Sequence, residues 1–166
     1  MRILTFLSIL TLLAVSASAQ STVNYAARHA HAANAGWIDL YSNEVDCVVV
    51  AESFLQGMAC AGNFGWLDFG DGLPANGYAY SNGGADDCGV NLAADGALTG
   101  YAYSGNIGWV CFEQVFGKPQ LGWATGAMSG FAYSGNISWI ALDTIHSDFE
   151  TKRVEYTDSD AFEMRH

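Results

Sequence analysis

His29 and His31 stand two residues apart. On a strand, that spacing turns both imidazoles to one face, where they could share a copper or zinc ion. No third ligand stands at metal-site spacing beside them. The segments Asp68-Phe69-Gly70-Asp71-Gly72 and Asp158-Ser159-Asp160 offer the oxygen ligands that calcium takes. Neither has the EF-hand spacing, and Asp-Gly pairs are also ordinary turn chemistry. Asp68 with Asp71, Asp86 with Asp87, or Asp39 with Asp68 could supply the two carboxylates of a glycosidase. A solvated acidic rim at strand ends accounts for them equally well. No Gly-x-Ser-x-Gly or His-Glu-x-x-His motif is present. The chain is therefore read as non-enzymatic and without a cofactor, with His29, His31, Asp68 and Asp71 as the metal candidates.

Two further residue classes carry chemistry. Cys47, Cys60, Cys88 and Cys111 are four cysteines in a chain whose first residues read as an export signal. Two disulfides are expected from that compartment, and all three pairings remain open. Five tryptophans and eight tyrosines could stack on sugar rings. Four tryptophans share one repeat position and are expected in the core. Trp123 lies outside that position, so it is the expected exposed ring, followed by Tyr78 and Tyr80.

The elements that would position these residues come from a repeat. Gly100-Tyr101-Ala102-Tyr103-Ser104-Gly105-Asn106-Ile107-Gly108-Trp109-Val110 returns as Gly130-Phe131-Ala132-Tyr133-Ser134-Gly135-Asn136-Ile137-Ser138-Trp139-Ile140. Weaker copies run from Gly57 to Leu67 and from Arg28 to Ile38. In the latter, His29 and His31 occupy the places of Tyr101 and Tyr103 and read as aromatic stand-ins. Gly77-Tyr78-Ala79-Tyr80-Ser81-Asn82 is a partial copy. Asn34, Asn63, Asn106 and Asn136 are spaced by 29, 43 and 30 residues, and the long interval holds the partial copy.

Period-two alternation on both sides of Gly105-Asn106 predicts a β-hairpin with a two-residue type II′ turn, glycine taking the positive φ. Ser104 would then face Ile107, and Ala102 would face Trp109. One face would carry Tyr101, Tyr103, Gly108 and Val110; the other would carry Ala102, Ser104, Ile107 and Trp109. Neither face is charged, so both are expected to be largely buried. Cys88–Leu92 and Cys47–Val50 read as a third strand before their hairpins. The expected fold is all-β: three-stranded antiparallel meander repeats stacked as a sandwich-like or solenoid-like array.

The Gly-Tyr-Ala-Tyr-Ser-Gly-Asn-Ile-Gly-Trp run, with its lead-in Gly89-Val90-Asn91…Gly96-Ala97-Leu98, resembles a repeat of secreted bacterial proteins of uncharacterised function. There, a Gly-Tyr-Ala-Trp/Tyr-x-x-Asn-Ile-Gly-Trp-Ile core follows a Gly-Val-Asn…Gly-x-Leu lead-in. The resemblance covers about residues 47–142 and implies an exported β-repeat architecture. It supplies no catalytic residues. The four cysteines and the end after Leu142 depart from the pattern.

Met1-Arg2, the apolar run Ile3–Val15 and Ala17-Ser18-Ala19 have the layout of a secretory signal peptide. The expected organisation is a signal over 1–19, a β-repeat domain over 20–142 with a loop insertion near 70–86, and a polar strand and tail over 143–166. The strand of that tail is expected near Thr151 to Tyr156. No membrane span is expected after cleavage. The 166 residues are 51% hydrophobic and 14% charged, with a net charge of −11. That is too apolar for disorder and of the wrong sign for nucleic acid. The expected role is a secreted, periplasmic or cell-surface structural or adhesion protein, acting by self-association or by attachment to a surface or matrix component. A carbohydrate-binding module is the alternative.

Overall fold

The computed structural model describes residues 21–43 and 45–148. The signal segment, the expected strand near 151–156 and the Asp158–Asp160 segment lie outside them. Each full repeat copy forms one antiparallel hairpin. The first pairs Val23–Ala32 with Gly36–Asp39 and the second Met58–Ala61 with Gly65–Asp68. The third pairs Leu98–Ser104 with Gly108–Cys111 and the fourth Phe131–Ser134 with Ser138–Ala141.

The hairpins do not stack. Each pairs edge to edge with the next, through Ile38↔Ala61, Asp68↔Tyr103 and Ser134↔Val110. Ala32↔Ile140 then joins the fourth back to the first. The result is a closed up-and-down barrel of eight strands, in place of the expected sandwich or solenoid. Closure satisfies every outer strand of a hairpin and leaves the barrel no edge. The third-strand expectation holds for Val90–Leu92, which pairs with Leu98–Gly100. It holds equally for Val49–Val50, which pairs with Leu55–Gln56 just before the second hairpin.

Eight strands enclose only enough space for side chains. The repeat fills it by setting a small residue against a large one. Ala30 faces Ile38, Ala59 faces Leu67, Ala102 faces Val110 and Ala132 faces Ile140, all buried. Leu40, Phe69, Phe112 and Leu142 form the next layer. A void of about 20 Å³ remains among these apolar groups, so the interior is core and not a ligand chamber.

The hairpin tips correct the expected register. Ser104 pairs with Gly108, Tyr103 with Trp109 and Ala102 with Val110. The linker is three residues, 105–107, and the left-handed residue is Gly108 at φ 70° rather than Gly105. Longer hairpin loops commonly close on such a left-handed residue. Gly36, Gly65 and Ser138 repeat this conformation. The extra residue turns Ala35, Phe64, Ile107 and Ile137 inward, where they plug one end of the barrel. It also explains the recurrent asparagine. Asn63 Nδ2 donates to Ala35 O, Asn106 Nδ2 to Phe64 O and Asn136 Nδ2 to Ile107 O, at 2.8–2.9 Å. The second, third and fourth tips are thus each latched to the one before.

Candidate functional site

A one-residue change of register moves side chains to the other face. The four repeat tryptophans therefore point outward, not into the core. Trp37, Trp66, Trp109 and Trp139 are 58%, 44%, 48% and 38% exposed. Three of them lean on the ring opposite in the hairpin: His31–Trp37 and Tyr103–Trp109 at 4.7 Å, and Tyr133–Trp139 at 5.0 Å. The outer face is largely aromatic and partly exposed, contrary to the expectation that both faces would be covered.

Trp109 differs from the others because the insertion rises beside it. Trp109, Tyr101 and Tyr103 form one wall of two adjoining hollows of about 400 and 440 Å³. Asn82–Ala85 and Cys88 form the other, and Asp68 extends the barrel wall beside Tyr103. These volumes fall within the about 300–1,000 Å³ of small-ligand sites. Asp68 is the cross-strand partner of Tyr103, which is in turn the partner of Trp109. One Asp68 oxygen accepts the Gly70 N–H at 2.9 Å; the other accepts no hydrogen bond among the described residues.

The insertion is shaped by side-chain hydrogen bonds to its own backbone. Asp87 accepts the N–H groups of Ala75 and Ser81 at 3.1 and 2.9 Å. The Ser81 bond first, then the Ala75 bond, hold the Asp87 carboxyl below its ordinary range. Asn76 accepts from Tyr78 and Ala79, and Asn82 accepts from Gly89 and the Cys88 thiol. Burial, with the Asp68 and Asp87 carboxylates adding, pushes the Cys88 thiol up. The Glu113 carboxylate, which accepts the Tyr101 hydroxyl at 3.2 Å, likewise raises the Tyr101 phenol.

The residues singled out by sequence fare differently. Trp123 is half-buried against the core and donates its Nε1 to Ala94 O at 3.1 Å, so it is not the exposed ring. Tyr80 is 4% exposed. Its ring meets Phe54 edge-on at 5.5 Å, and its hydroxyl accepts the Gly72 N–H at 2.8 Å. Burial pushes that phenol up to about 12. Tyr78 is exposed on the insertion, but it lines neither hollow. The structure thus moves the aromatic site from Trp123, Tyr78 and Tyr80 to Trp109, Tyr101 and Tyr103.

His29 and His31 do share the outer face. His29 Nε2 lies 3.7 Å from an Asp39 oxygen that it shares with no other imidazole, while His31 packs on Trp37. The other Asp39 oxygen lies 3.1 Å from Arg28 Nε, whose guanidinium also sits 4.1 Å over the Tyr25 ring. Among the described residues, no three His, Cys, Asp or Glu side chains gather in a metal-binding arrangement. Asp71, like Asp68, accepts a backbone N–H two residues on, a turn role. Cys47, Cys60, Cys88 and Cys111 stand as thiols and form neither of the two expected disulfides. Cys60 and Cys111 point outward on different hairpins, Cys88 faces the groove and Cys47 is buried.

The signal that could have located the groove was the Gly-Trp pair. A left-handed glycine after the tip places the following tryptophan on the tyrosine side of the hairpin. The wall of the insertion had no comparable signal. Comparison of the chain with protein-family models, with curated proteins and with solved structures finds no match.

Proposed function

We propose that the protein is an exported, non-enzymatic attachment module that binds glycans through its outward aromatic rings. The observation that carries this reading is the groove between the barrel wall of Trp109, Tyr101, Tyr103 and Asp68 on one side and the insertion with Cys88 on the other. A hollow lined by flat rings and, next to Tyr103, a carboxylate suits a sugar, which presents an apolar C–H face and hydroxyl donors at its edge. Barrel closure supports attachment over strand-edge self-association, because it removes the edges that would recruit a second copy. Cys88 is the one thiol lining the groove, and among the described residues no imidazole lines it. Export rests on the signal-like leader. Among the described residues, no helix is long and apolar enough to cross a membrane.

The test is a glycan array probed with the purified chain and with Trp109→Ala. The expected outcome is binding that Trp109→Ala abolishes while far-ultraviolet circular dichroism stays unchanged. A silent array, or a signal indifferent to Trp109, overturns the reading.

A further inference from the structure

We infer that the groove at Trp109 selects sugar units that carry a protonated amine, the glucosamine class, over neutral and acidic sugars. This rests on the glycan reading and narrows it. Three aromatic rings and one free carboxylate oxygen converge on the same hollow. A cation is drawn to the face of an indole or phenol ring, and a carboxylate beside it completes a site for an ammonium group. A neutral sugar needs the ring but not the charge.

The surroundings are of one sign. Asp86 and Asp87 sit on the short turn Ala85–Asp87 behind the Asn82–Ala85 wall, and Glu113 stands beyond Tyr101. No Lys or Arg occurs from His29 to Gly117. Between residues 21 and 148 the only two are Arg28, held by Asp39 and Tyr25, and Lys118. Neither lines the groove. The remaining polar lining, Asn82, the Cys88 thiol and the Tyr101 and Tyr103 hydroxyls, supplies no cation. A uronic or sialic acid would thus meet carboxylates with no cation to receive it. An amino sugar would place its ring against Trp109 and its ammonium beside Asp68. Acetylation of the amine would remove the charge and keep the ring. The groove therefore separates an amino sugar from its acetamido form by electrostatics alone.

The experiment is calorimetric titration of the full chain with three soluble tetramers: β-1,4-linked glucosamine, its fully N-acetylated form and an oligogalacturonate. The solution is mildly acidic, so that the amine is protonated. An ammonium between an indole face and a part-sheltered carboxylate is expected to favour the amino tetramer about tenfold over the acetylated one. Added salt should shrink that preference, and Asp68→Asn should erase it. Asp143→Asn, the same charge change outside the groove, should preserve it. Trp109→Ala should remove binding of both tetramers. Equal affinity for the two tetramers, both lost with Trp109→Ala, overturns the amine inference and leaves the glycan reading standing. No binding of any tetramer, together with a silent array, overturns both. Amino-tetramer binding that survives Asp68→Asn and Trp109→Ala marks diffuse polyelectrolyte attraction and overturns the site. Tetralysine bound as tightly as the amino tetramer also overturns it, because the sugar ring would then contribute nothing.

Discussion

The pentapeptide Gly-Tyr-Ala-Tyr-Ser occurs twice, as Gly77–Ser81 and as Gly100–Ser104. In the second place it is a barrel strand, with Ala102 and Ser104 buried inside and Tyr103 exposed outside. In the first place it forms no strand, Tyr78 is exposed and Tyr80 is buried. The difference lies in the residues immediately C-terminal to each copy. Gly105-Asn106-Ile107-Gly108 turns the chain back and supplies a partner ladder; Asn82-Gly83-Gly84-Ala85 does not. Without a partner, the backbone groups of the first copy are met by side chains instead. Asn91 both accepts the Tyr80 N–H and donates to its carbonyl, at 2.8 and 2.9 Å. Strand propensity is a fitness for a pleated surface, and it needs the surface. One copy builds the barrel and carries the aromatic wall; the other leads into the facing wall of the groove.

The contrast predicts a graded response to mutation. Leu67→Ala opens the layer where Leu67 meets Ala59 and the small interior void. It should destabilise the whole chain by about 2–5 kcal/mol, read as a lower denaturation midpoint, and the groove should vanish with the barrel. Gly100→Ala and Gly77→Ala alter the same residue of the shared pentapeptide. Both glycines are left-handed, at φ 85° and 73°, which costs a Cβ-bearing residue roughly 1–2 kcal/mol. At Gly100 the added Cβ would also lie 2.4 Å from Gly89 O, whereas at Gly77 it meets nothing within 4 Å. Gly100→Ala should therefore lower stability well beyond Gly77→Ala in parallel melts. Equal losses would remove the distinction between the two settings.

Asn106→Ala removes the latch to Phe64 O and should cost about 1 kcal/mol. Asn82→Ala, in the insertion, should leave the global midpoint unchanged while raising amide exchange at Gly89. The smallest effect comes from pH. The Asp87 carboxyl is depressed below 3.8, so its clamp is complete above that value and is lost as the pH falls through its lowered folded value. Tyr80 is raised from 10.0 to about 12, so its contribution is full below 10.0 and disappears as the pH climbs toward 12. In both ranges amide exchange should rise across residues 72–89 before the barrel strands open. Simultaneous opening would show that the insertion and the barrel are one cooperative unit.

Much of this was present in the residues themselves. Alternation around Asn34, Asn63, Asn106 and Asn136 specified four hairpins, because period two is the geometry of a strand. The loop character of the insertion followed from its glycines, asparagines and aspartates. The low charge of the body was likewise a matter of composition. Tertiary structure decided the rest. The hairpins close rather than stack because four of them, joined edge to edge, leave no strand unpaired, and alternation alone serves a sandwich as well as a barrel. The tip takes three residues rather than two because Ile107 must plug the barrel end and Asn106 must reach the neighbouring tip. That single residue sets the register, turns Trp109 outward onto the face of Tyr103 and Asp68, and so places it across from the insertion.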